Sequence, residues 1–138
     1  MLTTITRRLE IDAGHRLLAH ESKCRNAHGH RYAFEVTVSG AALDDCGRLI
    51  DFGAVKQLVA GWLDAEWDHG FLAQAGDPLI EPMRALGLKL VVLDVPPSIE
   101  HLTAIVLARS APLLAPDGLR VVRVRGYETP NCWADVEP

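Results

Sequence analysis

The sequence has few aromatic residues, few cysteines and no excess of positive charge. Aromatic residues make up 6% of its 138 residues, and the cysteines number three, an odd count. A small secreted domain held together by disulfides would carry more cysteines in an even number, so we expect reduced thiols. The formal net charge of −4 argues against a nucleic-acid-binding protein, because the binding surface of such proteins is basic.

Long apolar runs are also missing. No stretch approaches the ~20 apolar residues that a membrane-spanning helix requires, and Met1–Glu10 lacks the apolar segment of a signal peptide. We therefore expect a cytoplasmic protein that binds neither membranes nor nucleic acid. The length fits one domain with one hydrophobic core, so residues 1–138 are predicted to form a single domain.

Four segments are predicted to be β-strands, and two of them, Arg31–Ser39 and Leu119–Glu128, alternate apolar and polar residues. The four segments are Thr3–Asp12, Arg31–Ser39, Leu88–Val95 and Leu119–Glu128. After the turn residues Leu43–Gly47, the segment Arg48–Asp51 is expected to begin the returning strand of a hairpin.

Two helices are predicted between these strands. Asp51 can cap the first helix, which then shows an apolar stripe at the spacing of an amphipathic helix. The stripe consists of Val55, Leu58, Val59, Trp62 and Leu63. Ser98 can cap the second helix, because Pro96–Pro97 ends the preceding strand. Short turns favour antiparallel pairing, so the predicted class is α+β, with one antiparallel sheet and two helices on a face.

Three histidines form a candidate metal site. His28 and His30 lie at i and i+2 at the entrance of a strand, which puts both imidazoles on one face. His15 lies at the end of the first strand and joins them if the two strands are neighbours. Three imidazoles with an open fourth position are the pattern of a catalytic zinc site. Two alternatives stay open: an incidental His-x-His pair, or a closed structural zinc site with Cys24 as fourth ligand.

Cys24 has a second candidate role, as a general base. A thiol beside a divalent cation and an imidazole has its thiolate favoured, and a thiolate can accept a proton from substrate. The usual fate of a free cysteine is different, since most are small buried hydrophobic residues.

Other polar residues have structural explanations beside the functional ones. Asp68 and His69 follow the first helix, where a histidine is favoured by the helix end, and Glu100 lies in the first turn of the second helix, where an acid is favoured. Glu128 ends the last strand. It is either an ordinary exposed carboxylate or the partner of an amide-bearing ring through two hydrogen bonds.

As an ordered set, these residues resemble the 6-pyruvoyl-tetrahydropterin synthase superfamily. The matching segments are His15, Cys24-x-x-x-His28-Gly29-His30, Asp51-Phe52, Asp68-His69, Pro97-Ser98-x-Glu100 and Glu128-Thr129. The resemblance implies the tunnelling fold (T-fold), a four-stranded antiparallel sheet with two helices on one face. It also implies a homo-oligomeric ring of subunits with active sites at their interfaces.

The resemblance further implies roles for individual residues. The implied zinc ligands are His15, His28 and His30. The implied catalytic residues are Cys24 as base, His69 as proton relay with Asp68 beside it, and Glu128. The implied substrate-binding residues are Glu128, Ser98 and Glu100.

Within the superfamily, the three residues between Cys24 and His28 resemble the 6-carboxytetrahydropterin synthases of queuosine and 7-deazapurine biosynthesis. The pyruvoyl-forming enzymes usually carry a longer insertion there. The implied activity is that of a zinc-dependent lyase, which converts 7,8-dihydroneopterin triphosphate to 6-carboxytetrahydropterin with release of acetaldehyde and triphosphate. The chain departs from the usual Pro-Thr-x-Glu-Asn motif, because Ser98 replaces the threonine and His101 replaces the amide.

Three alternative functions stay open at this point. The first is the same fold forming 6-pyruvoyltetrahydropterin, and the second is a non-catalytic structural zinc module. The third is a binder of phosphate or nucleic acid that uses the basic residues Arg7, Arg8, Arg16, Lys23, Arg25 and Arg31.

Overall fold

The computed structural model describes all 138 residues and contains one six-stranded sheet with three α-helices. The strands are β1 (Thr4–His15), β2 (His28–Gly40), β3 (Phe71–Gln74), β4 (Leu90–Leu93), β5 (Leu119–Thr129) and β6 (Cys132–Val136). The helices are α1 (Phe52–Glu66), α2 (Ile80–Ala85) and α3 (Ile99–Leu114), with single 3-10 turns at Lys23–Arg25 and Ala115–Asp117.

The sheet is mixed, with the strand order β4-β3-β1-β2-β5-β6. The pairs β1–β2, β2–β5 and β5–β6 are antiparallel, whereas β1–β3 and β3–β4 are parallel. β3 pairs with β1 only at Gly14 and His15. The segment Thr4–Ile11 of β1 therefore has a strand partner on one side only, which is β2.

The hydrophobic core lies between the sheet and the two long helices, α1 and α3, as predicted. Alternate residues of the central strands face the helices, for example Leu9 and Ile11 on β1 and Phe34 and Val36 on β2. Both predicted caps are present. The Asp51 side chain accepts a hydrogen bond from the Gly53 amide at 2.6 Å, and Ser98 is the N-cap residue of α3.

The prediction of a four-stranded, fully antiparallel sheet with two helices is wrong in three respects. The sequence patterns missed β3, β6 and α2, which have four, five and six residues, because such short elements show no recognisable period. β3 and β4 pair in parallel, a pairing that the local sequence does not reveal. The segment Arg48–Asp51 is no strand, since Arg48 turns back to Asp44, with Nε 3.0 Å from Oδ2.

The three cysteines are free thiols, as predicted; Cys24 is half-buried, and Cys46 and Cys132 are exposed. None of the helices combines the length and the apolar composition needed to cross a membrane.

Candidate metal centre and catalytic site

The three predicted histidine ligands converge at one end of the central strands. The antiparallel register of β1 and β2 places His15 opposite His28 and Ala13 opposite His30. All three imidazoles therefore lie on the helix-facing side of the sheet, and one ring nitrogen of each lies within 4.8 Å of the others. His15 is buried, whereas His28 and His30 are half-buried and reach an adjoining cavity.

Backbone carbonyls orient two of these imidazoles. His15 Nδ1 donates to the Pro97 carbonyl at 2.7 Å, and His28 Nδ1 donates to the Asn26 carbonyl at 2.7 Å. Because a carbonyl can only accept, the proton of each neutral ring is on Nδ1, and each Nε2 presents a lone pair. Such a contact to the second ring nitrogen is the usual support of a metal-bound histidine.

This donor set fits a divalent metal. The Nε2 atoms of His15 and His28 lie 3.2 Å apart with their lone pairs converging, which is unfavourable unless a cation lies between them. Tetrahedral coordination by zinc separates ligand nitrogens by about 3.4 Å. His30 Nε2 is buried without a hydrogen-bond partner, and a metal bond would satisfy it. Burial lowers the pKa of His15 and of His30, which favours the neutral, metal-binding form of both rings.

Cys24 and Glu128 lie beside the histidine cluster. Both line a cavity of about 400 Å³ together with His28 and His30. Glu128 Oε1 lies 3.5 Å from His15 Nε2 and 3.8 Å from His30 Nε2. Cys24 does not belong to the group of side chains that could hold a metal, so the structure brings it to the site without making it a fourth candidate ligand.

Asp68 and His69 form an oriented pair at a different place. Asp68 Oδ1 accepts from the Asp12 amide at 2.9 Å, and Oδ2 accepts from His69 Nδ1 at 2.8 Å. The pKa of the Asp68 carboxyl lies below its usual range, mainly because of the hydrogen bond from the Asp12 amide and to a smaller extent because of the contact with His69. His69 has a left-handed backbone with φ of 59°, and its side chain is 76% exposed. Such a conformation is costly outside glycine and is often found at functional sites.

His69 and Cys24 line different cavities. The cavity of His69, about 460 Å³, includes Asp12 and Arg31, which alternate with the metal-cluster residues and so face the other side of the sheet. Only His30 borders both cavities. Within one chain, the structure therefore does not bring Cys24 and His69 into one cavity.

The predicted substrate-binding residues lie at the start of α3. Ser98 lines a cavity of about 360 Å³ with His20 and His101, and Glu100 is exposed in the first helical turn. His101 Nδ1 donates to the Pro96 carbonyl at 2.9 Å, so the residue that replaces the usual amide is held against the turn before α3.

Comparison with known proteins decides the family. The sequence matches the family described as 6-pyruvoyl tetrahydropterin synthase over residues 4–138. The chain belongs to this family. A relative named 6-carboxy-5,6,7,8-tetrahydropterin synthase, from Rickettsia bellii, is 36% identical over 95% of this chain and 97% of its own length. The predicted resemblance is thereby confirmed.

Solved structures place the chain in the fold of this family. An uncharacterized protein, WS1659 from Wolinella succinogenes, superimposes with a TM-score of 0.88 over 99% of this chain and 98% of that protein, at 22% identity. The 6-pyruvoyl tetrahydropterin synthase of Plasmodium vivax gives a TM-score of 0.74 over 100% of this chain and 98% of that protein, at 17% identity. The predicted T-fold is confirmed as an architecture, with the corrections to strand and helix number given above.

Sequence reasoning missed two features of this pterin synthase family member. Arg16 follows the candidate ligand His15, and its Nε donates at 2.7 Å to the buried carboxylate of Asp77. Tyr32, two residues after His30, is fully buried and packs against the rings of His15 and His30. Burial, and after it the charge of Glu128, raises the pKa of Tyr32, so the phenol stays protonated. Alternation along β2 could have indicated Tyr32, whereas no local signal pairs Arg16 with Asp77.

Proposed function

We propose that this chain is a zinc-dependent 6-carboxytetrahydropterin synthase that converts 7,8-dihydroneopterin triphosphate and one water molecule to 6-carboxytetrahydropterin, acetaldehyde and triphosphate. The observation that carries the proposal is the convergence of three imidazole nitrogens, one from each of His15, His28 and His30, beside the cavity lined by Cys24 and Glu128. The similarity to relatives of that name and the three-residue spacing between Cys24 and His28 support this product over the pyruvoyl product.

His15, His28 and His30 hold the zinc ion in this proposal. A bound zinc ion supplies Lewis-acid polarisation of the hydroxyl oxygens on the substrate side chain. Cys24 borders the same cavity and takes a proton from that side chain as general base. Glu128 accepts two hydrogen bonds from the amino-pyrimidine edge of the pterin, an edge that presents adjacent donors to a carboxylate.

His69 relays protons, and we assign it to the active site of a neighbouring subunit. Its exposed ring and its place in a separate cavity support this assignment, since it lies away from its own Cys24. Asp68 orients His69 through Nδ1, which leaves Nε2 free to exchange a proton. Ser98 and Glu100, at the exposed start of α3, are proposed to contact substrate across the same interface. The partner is a second copy of this chain, in a homo-oligomeric ring.

The open edge of β1 supports such an assembly. The segment Thr4–Ile11 has a strand partner only in β2, so its other edge offers backbone donors and acceptors to another chain. A cytoplasmic location of the assembly stays a prediction.

Product analysis tests the reaction. We expect the zinc-loaded protein to form 6-carboxytetrahydropterin and acetaldehyde in equal amounts from 7,8-dihydroneopterin triphosphate. A pyruvoyl product without acetaldehyde would refute the carboxy assignment, and no turnover at all would favour a structural zinc module. The position of Cys24 outside the metal cluster supports an open catalytic site over that module.

Mixed oligomers test the sharing of the active site. Cys24→Ala and His69→Ala are each expected to be inactive as pure assemblies. Denaturing the two together and refolding them should restore part of the activity, because some sites then combine an intact Cys24 with an intact His69 from another chain. Mixed assemblies that stay inactive would contradict the shared site.

The third alternative, a basic binding surface, receives little support from the contacts. Arg16 is paired with Asp77, Arg31 with Asp12, and Arg8 with Glu10 and Glu35. These side chains are partly neutralised within the chain, so less positive charge is left for an external anion.

A further inference from the structure

Tyr32 carries a hydroxyl that no contact within the chain uses. The residue is at 0% exposure, and its hydroxyl has no hydrogen-bond partner. Burying a hydroxyl without a partner is unfavourable, and buried polar groups in native proteins nearly always have one. Phenylalanine would fill this position without that cost. We therefore expect the hydroxyl to have a hydrogen-bond acceptor in another state of the site, such as the ligand-bound state.

The ring of Tyr32 forms part of the wall between the metal centre and the hydrophobic core. Its centroid lies 5.6 Å from that of His15 and 5.5 Å from that of His30, in both cases edge to face. Farther along β2, it stacks on Phe34, with a centroid separation of 6.4 Å. Packing on both sides restricts the ring and so restricts what its hydroxyl can reach.

Glu128 is the carboxylate closest to Tyr32 by strand register. In the antiparallel pair β2–β5, Ala33 is opposite Tyr127, so Tyr32 and Glu128 are the next residues beyond that pair. Both alternate onto the helix-facing side, where the metal cluster lies. Directly opposed residues of antiparallel strands have Cβ atoms about 4.5–5.5 Å apart, which is within reach of a tyrosine and a glutamate.

The Glu128 carboxylate, in turn, has no hydrogen-bond donor. Its contacts to His15 Nε2 at 3.5 Å and His30 Nε2 at 3.8 Å are too long for good hydrogen bonds. His15 Nε2 also carries no proton, because the Nδ1 of that ring donates to Pro97. A buried donor without an acceptor thus lies beside a carboxylate without a donor.

We propose that Tyr32 is a positioning residue for Glu128, whose carboxylate accepts a hydrogen bond from the tyrosine hydroxyl when a pterin is bound. Each carboxylate oxygen has two lone pairs, so the bond to Tyr32 leaves acceptors free for the amino-pyrimidine edge. The bond fixes the rotamer of Glu128 toward the pterin and away from the histidines. This inference rests on the proposed function, because it requires Glu128 to hold the pterin.

Binding of unsubstituted pterin tests the inference, since this compound keeps the amino-pyrimidine edge and has no side chain to react. The dissociation constant is measured by fluorescence titration of metal-loaded wild type, Tyr32→Phe, Glu128→Ala and the double variant. We expect Tyr32→Phe to bind about 10-fold more weakly, the effect of one hydrogen bond to a charged group. In the Glu128→Ala background, which leaves no acceptor for the hydroxyl, Tyr32→Phe should weaken binding by less than about 2-fold.

Tyr127→Phe is the matched control. Tyr127 lies on β5 next to Glu128 but alternates onto the other side of the sheet, against Arg8 and Trp133. We expect wild-type pterin binding in this variant. Tyr32→Phe should also keep its metal content, and its melting temperature without ligand should not fall, since no hydrogen bond is lost.

The outcomes separate the inference from the proposed function. Wild-type pterin affinity in Tyr32→Phe, or an equal loss in both backgrounds, overturns the positioning role. A lowered melting temperature or a loss of metal in Tyr32→Phe overturns it as well, because the hydroxyl then has a structural role. If wild type itself does not bind pterin, the proposed function fails.

Discussion

Replacing Asp77 by asparagine tests how the fold fixes the chain segment that leads from the candidate ligand His15 to Cys24. The side chain of Asp77 is 1% exposed, and that of its partner Arg16 is 19% exposed. Asp77 also accepts a hydrogen bond from the Leu79 amide at 2.8 Å. Asparagine keeps the shape and one acceptor oxygen, but it removes the charge and turns an NH2 group toward the guanidinium.

The expected loss follows from the burial of the pair. Removing one partner of a buried ion pair costs about 3–5 kcal/mol when the remaining charge has no access to water. Arg16 retains some access to water, so we expect Asp77→Asn to lower the free energy of unfolding by about 2–3 kcal/mol. For a chain of this size, that corresponds to a melting temperature lower by roughly 6–10 °C.

The stability lost in Asp77→Asn should depend on pH in a specific way. Hydrogen bonding to Arg16 lowers the pKa of Asp77, so the pair stabilises the fold fully above the unfolded pKa of about 3.9 and stops doing so as the pH falls through the lower folded value. The difference in melting temperature between wild type and Asp77→Asn should therefore be constant from about pH 7 to 5 and shrink below about pH 4.

Thermal unfolding at fixed protein concentration measures this difference. Asp117→Asn, at an exposed position, is the control and should unfold like wild type. An unchanged melting temperature for Asp77→Asn at pH 7, or an equal deficit at pH 3 and pH 7, would refute the reasoning.

Three further predictions concern the site and the packing beneath it. His28→Ala should release most of the bound metal, measured by mass spectrometry of the purified protein, and an unchanged metal content would rule out the cluster as the binding site. Glu128→Ala should weaken pterin binding strongly while zinc is retained, and an unchanged dissociation constant would remove its anchoring role. Gly126→Ala should destabilise the chain by about 1–3 kcal/mol, because the added Cβ would overlap Thr103 Oγ1. Its control is Gly61→Ala on α1, where an added Cβ meets no atom within 4 Å, and this change should stabilise the chain by up to about 1 kcal/mol. Similar melting temperatures for the two variants would contradict the packing argument.

The convergence of the three histidines was predictable from the sequence because it depends on short-range geometry. Residues two apart on a strand share a face, so His28 and His30 had to point the same way once that segment was extended. His15 joined them on one further assumption, that consecutive strands pair, and consecutive strands often do. The helix caps at Asp51 and Ser98 were readable for the same reason, since a cap is a contact between residues two or three apart.

The remaining features were decided by tertiary structure. The short strands β3 and β4 have too few residues to show a period, and their parallel pairing depends on how α1 returns the chain to the sheet. The contact between Arg16 and Asp77 joins residues 61 positions apart, and no local pattern encodes it. Cys24 and His69 lie in two connecting segments, before β2 and before β3, and line two different cavities, so their separation follows from how those strands are arranged. Local sequence sets which face a side chain takes, whereas strand order and register set which faces meet.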